Sequence, residues 1–147
     1  MSRQTEQQEM ELVSGIAAFE SKTFARAADL LSGLAESGIA DAQYRIAIMA
    51  QNGLGMVENH LLAYKYMRGA AESGLGLAQH GLGFMYLEGE CVDKDPKKAL
   101  FWFEKAAEQG LLGSMTTIAM MYKEGNGVEA DPATAKKWFH KAGFDEM

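Results

Sequence analysis

The sequence predicts an all-α repeat fold built from four stacked helical hairpins. Three observations carry that expectation. Shifting the chain by 36 positions lays it on itself: Ala42, Ala78 and Ser114 coincide, as do Gly53, Gly89 and Gly125, and Ala63, Ala99 and Ala135. Glycines recur at the joins, Gly38, Gly74 and Gly110, while only two prolines interrupt the 147 residues. Apolar residues between the glycines fall at spacings of three and four, the period of a helix rather than of a strand. A fixed period of this length marks units that cannot bury their apolar faces singly and must stack.

The first hairpin, about 5–37, is the shortest. Gly15, Ala17, Ala18, Phe19, Phe24, Ala27, Ala28, Leu30 and Leu31 supply its apolar stripe, with a tight turn near Ser21–Thr23. The second hairpin spans about 38–74 and carries Tyr66 where the later units carry Trp102 and Trp138. The third, about 75–110, is the clearest. Ala78, Leu82, Met85 and Tyr86 line one face of its first helix, which Gly89 ends. A short loop reaches Asp95, an N-cap residue, followed by Pro96 at the first helical position, where a missing N–H costs nothing. Its second helix presents Ala99, Leu100, Trp102, Phe103 and Ala106, and Gly110 closes it. Small residues at position 99 and its equivalents let paired helices approach, and Trp102 and Trp138 are expected as core between hairpins. The fourth hairpin, about 111–143, repeats the third closely: Asp131–Pro132 matches Asp95–Pro96. The four hairpins are read as a single repeat domain covering residues 1–147.

Composition narrows the function classes. Hydrophobic residues make up 48% and charged residues 23%, the balance of a folded globular chain. The formal net charge of −6 and the lack of a Lys/Arg cluster argue against nucleic acid and against an anionic membrane surface. No positively charged start leads into an apolar run, and no apolar stretch reaches the roughly 20 residues of a membrane helix. Cys91 is the only cysteine, which suits a reducing compartment. A cytoplasmic protein is the resulting expectation.

The pattern Ala-x-x-x-Leu-Gly-x-x-Tyr-x-x-Gly-x-x-Val-x-x-Asp-x-x-Lys-Ala-x-x-Trp-x-x-Lys-Ala-Ala-x-x-Gly, carried by residues 78–110, resembles the Sel-1-like repeat of the tetratricopeptide superfamily. Residues 114–143 match it nearly as well, and 42–74 more loosely, with His60 in place of the proline. Residues 9–37 are similar to an ordinary tetratricopeptide hairpin. Two departures stand out. Cys91 occupies the place of Gly55 and Gly127, and Gly143 replaces the second Ala. The resemblance implies a right-handed α/α superhelix, a solenoid that serves as an adaptor or scaffold for protein complexes without chemistry or cofactor of its own.

It also implies that the first helix of each pair faces the concave side of the solenoid. The groove residues are then Leu12, Ile16 and Phe19, then Tyr44, Ile48 and Gln51, then His80, Phe84 and Leu87, then Thr116, Met120 and Lys123. The matching rim holds Glu20, Asn52, Glu88 and Glu124. Such a face is more apolar than solvent exposure favours, and large exposed apolar patches mark interaction sites. The expected ligand is another protein, a peptide or helix segment whose basic flanks meet the acidic rim. Curvature that buries these residues as ordinary core is the competing explanation. Two other functions fit the same face: a homodimer closed through it, or a small-ligand or glycan site built on its aromatics.

The remaining chemistry-bearing residues form no recognisable site. His60, His80 and His140 occupy three different repeat positions, without a second ligand at metal spacing, so no metal is expected. His80 is expected as a partner contact or a packed ring. Cys91 is expected in an exposed loop, where Asp93 and Asp95 disfavour an activated thiolate. No Ser/His/Asp or Cys/His arrangement and no phosphate-cradling loop is present, since Gly81-Leu82-Gly83 lies within a helix. Catalysis is therefore not expected.

Overall fold

A computed structural model describes residues 3–144. Eight helices follow one another among them, with no strand: α1 (Arg3–Glu20), α2 (Phe24–Glu36), α3 (Ala40–Asn52), α4 (His60–Glu72), α5 (Gly76–Glu88), α6 (Pro96–Glu108), α7 (Leu112–Glu124) and α8 (Pro132–Lys141). They pair as the four hairpins that the 36-residue period implies. The chain divides into two compact units, Met1–Ala78 and Gln79–Met147, with the division falling inside α5.

Helix ends are set locally. Asn59 accepts a hydrogen bond from the Leu62 N–H at 3.0 Å, and Asp95 and Asp131 accept from the Lys98 and Thr134 N–H groups at 3.2 Å. Each satisfies an amide that the first helical turn leaves without a partner. Pro96 and Pro132 follow at the first helical position. At the other end, Gly53 and Gly125 cap α3 and α7 in left-handed conformation.

In the first unit α1 packs on α2 and α3, α2 on α3, and α3 on α4. Its core contains Ala18, Ala27, Leu31, Leu34, Ala42, Ile46, Met49, Ala63, Tyr66 and Met67. In the second unit α7 packs on both α6 and α8, around Leu82, Met85, Phe103, Ile118, Met121 and Phe139. Glycine allows the close approaches. A Cβ on Gly83 would stand 2.7 Å from the Phe103 ring, so this glycine, within Gly81-Leu82-Gly83, makes room for the aromatic of the facing helix.

Three residues share one loop position: Gly55, Cys91 and Gly127, with φ of +70°, +65° and +79°. Gly55 lies against the Phe24 backbone, and Gly127 against Pro96, so closely that a Cβ would overlap both. The Gly55 and Gly127 loops thus lie on the start of the second helix in the preceding hairpin. Cys91 adopts the same left-handed backbone with a side chain attached and is half-buried rather than exposed. The expectation for the tryptophans also needs correction. Trp102 and Trp138 are only half-buried, and the deep aromatic of each helix is the next residue, Phe103 or Phe139. A shift of one residue turns a side chain by about 100° around a helix. In the described part of the chain no helix is long and apolar enough to cross a membrane.

Candidate interaction surface

The twelve groove residues lie on α1, α3, α5 and α7, the first helix of each hairpin. Ten are half-buried: Leu12, Ile16, Phe19, Tyr44, Ile48, Gln51, His80, Phe84, Leu87 and Thr116. Met120 and Lys123 are exposed, and so are the rim residues Glu20, Asn52, Glu88 and Glu124.

The first unit brings Phe19, Tyr44 and Arg45 together. The Arg45 guanidinium lies 5.9 Å from the Phe19 ring centroid and 5.7 Å from that of Tyr44. An attraction between cation and ring quadrupole holds the three in place. Arg45 also donates from Nη1 to the Asp41 carbonyl at 2.9 Å and to its carboxylate at 3.2 Å. Burial raises the Tyr44 hydroxyl pKa above its usual value, with the nearby Arg45 charge acting in the opposite sense. Arg45 is not among the residues that the repeat pattern singles out. Its position in the repeat is held by Gly81 and Thr117 in the later units, and a basic residue unique to one repeat is the signal that could have found it.

The second unit contains a ring cluster. His80 meets Phe84 and Phe103 edge-on at 4.9 and 5.5 Å, and Phe84 meets Phe103 at 5.0 Å. Edge-to-face packing of this kind is worth about 0.5–1.5 kcal/mol per pair beyond area burial. Nδ1 of His80 lies 2.6 Å from the Ser114 hydroxyl, which is fully buried. Burial among these groups lowers the His80 pKa, because the charged imidazolium loses its hydration. His80 is therefore a packed ring with a polar anchor, and Phe84 links the surface to the core. Among the described residues no three His, Cys, Asp or Glu side chains gather as metal ligands would.

The Sel1 repeat model matches residues 40–75, 76–111 and 112–143. Two solved structures are similar in sequence as well as fold. One is a protective antigen present in uropathogenic Escherichia coli strains displaying an SLR fold, with a TM-score of 0.86 and 31% identity over 92% of this chain. The other, a Sel1 repeat protein from Oxalobacter formigenes, has a TM-score of 0.83 and 28% identity over 90%. The chain spans only 30% and 53% of those two proteins' own lengths. Cysteine rich protein B of Helicobacter pylori shares the fold alone, at TM-score 0.63 and 21% identity over 86% of this chain and 91% of that one. No curated protein sequence matches the chain. Repeats of this type generally serve as protein–protein interaction modules and are typically non-catalytic. With three consecutive matches covering residues 40–143, the chain belongs to the Sel1 repeat family.

Proposed function

We propose that this protein is a non-catalytic adaptor that receives a segment of a partner protein on the exposed faces of its first helices. The observation that supports the reading is that all twelve candidate residues remain at least partly accessible, although eight of them are aliphatic, aromatic or Met. An accessible apolar stripe beside a polar rim is the usual form of a peptide-binding surface. Phe and Tyr contribute large contact area at small entropic cost, and Met120 adapts its shape to a partner. Glu20, Glu88 and Glu124 give the rim a negative charge, which favours a segment flanked by Lys or Arg. A cytoplasmic setting is part of the same reading.

The test pairs Ile48→Glu with Met120→Glu, one surface substitution in each unit, and uses the exposed Lys65→Glu on α4 as control. Each variant is first shown to keep the wild-type circular dichroism spectrum and melting temperature. Affinity capture from a lysate of the source organism then compares them. A protein retained by wild type and Lys65→Glu but lost from either surface variant supports the reading. Equal retention by all four refutes it and moves the site to the second helices or the loops. An oligosaccharide panel that binds wild type and not the variants would replace the protein ligand with a glycan.

A further inference from the structure

We infer that the chain associates head to tail with a second copy of itself, α1 of one molecule lying on the α7–α8 hairpin of the next. The inference rests on the repeat register that aligns Leu12 with Tyr44, His80 and Thr116, and Ala27 with Ala63, Ala99 and Ala135. In that register Met10 corresponds to Ala42, Ala78 and Ser114. Those three are 0% exposed, whereas Met10 is 71% exposed. Ser14 corresponds to Ile46, Leu82 and Ile118, and Ala17 to Met49, Met85 and Met121; all six equivalents are buried, while Ser14 and Ala17 are open. The same helical stripe that three repeats bury is thus bare on α1, where Val13 extends it.

The molecule also shows what covers that stripe elsewhere. α3 lies on α2 and α7 lies on α6, each first helix on the hairpin before it, and the His80–Ser114 contact joins α7 to α5 in the same way. The natural occupant of the α1 stripe is therefore the far side of a hairpin of this same type.

The α7–α8 hairpin has such a side open. Phe24 and Pro96 are packed beneath Gly55 and Gly127 of the following loops, but their equivalent Pro132 is exposed. Tyr86 is buried, and its equivalent Tyr122 is half-buried. Lys136 stands exposed at the position where α6 buries Leu100. The charges are complementary. Glu6 and Glu9 flank Met10 on α1, while the open side of α8 presents Lys136, with Asp131 before Pro132 engaged in capping the helix. Pairing α1 with another α1 would instead oppose like charges. A heterologous contact of this kind leaves one free edge on each molecule, so it extends into short chains unless it closes into a ring.

Sedimentation of the full chain from about 1 to about 300 µM covers the affinity range of a small interface. The expected result is concentration-dependent dimers and larger species that weaken as salt is raised. Met10→Glu and Pro132→Glu/Lys136→Glu each change only exposed residues, so their folds, checked by circular dichroism, should match wild type. Either variant alone should lose at least about tenfold in association. Mixed together, each supplies the intact edge that the other lacks, and dimers without larger species should form. A monomer across the whole range overturns the proposal. So does a Pro132→Glu/Lys136→Glu protein that dimerises like wild type, which would mean a symmetric contact. None of the three residues belongs to the proposed peptide-binding faces, so this test and that of the adaptor reading fail independently.

Discussion

Gly55→Ala tests whether the loop after α3 is held by backbone packing. The substitution adds one methyl group. At φ +70° an L-residue costs about 1–2 kcal/mol relative to the right-handed region. The smaller conformational freedom of alanine in the unfolded chain returns about 0.4–1 kcal/mol. The larger cost is steric. The new Cβ would sit 2.4 Å from the Phe24 carbonyl carbon, 2.5 Å from its oxygen and 2.8 Å from the Ala25 nitrogen. Carbon atoms in contact stand about 3.5–4.0 Å apart, so the loop and the start of α2 must separate by roughly 1 Å. Overpacking against backbone, which has no rotamer to yield, adds about 1–3 kcal/mol. The sum is a destabilisation of about 1–5 kcal/mol, or a fall in melting temperature of about 2–20 °C in a chain of this size. Gly38→Ala is the control in the same unit. Its φ is +93°, but no atom lies within 4 Å of the added Cβ, so only the conformational part of the cost applies. Thermal and urea unfolding followed by circular dichroism measure both. A Gly55→Ala protein no less stable than Gly38→Ala would refute the claim that this loop is pinned by contact with Phe24.

Two further outcomes follow from burial in the second unit. Leu82→Ala removes a side chain with no exposed surface and should cost about 2–5 kcal/mol, read from the urea midpoint; an unmoved midpoint would show that the helical phase of α5 is wrong. His80 has its pKa lowered by burial, so the unfolded chain binds a proton more readily than the folded one. Stability should therefore fall as pH drops through the ordinary His range around 6.5 and level off once the folded state is also protonated. His80→Gln should lack this part of the pH dependence, and equal slopes in the two proteins would remove His80 as its source.

The repeat register, the four hairpins, their caps and the Ala78-Leu82-Met85 stripe were all legible in the residues. Each depends on local periodicity or on a single turn of chain, as the placement of Asp95-Pro96 and Gly53 shows. Phe84 was less legible. The family resemblance placed it on the groove face, and it does lie partly open, yet its edge contact with Phe103 ties it to the core. Such a contact joins residues 19 positions apart and depends on how the facing helix is rotated. The same rotation places Phe103 in the core and leaves Trp102 half-buried.

The sequence by itself determined the helical class and the repeat, because a 36-residue period with helical spacing and glycine punctuation admits no other regular structure. Tertiary structure decided which equivalent positions are equal in burial. Met10 and Ala42 have the same place in their repeats, but only Ala42 has a hairpin on the side that its helix turns outward. Periodicity specifies the direction in which a side chain points; only the packed chain specifies what lies there.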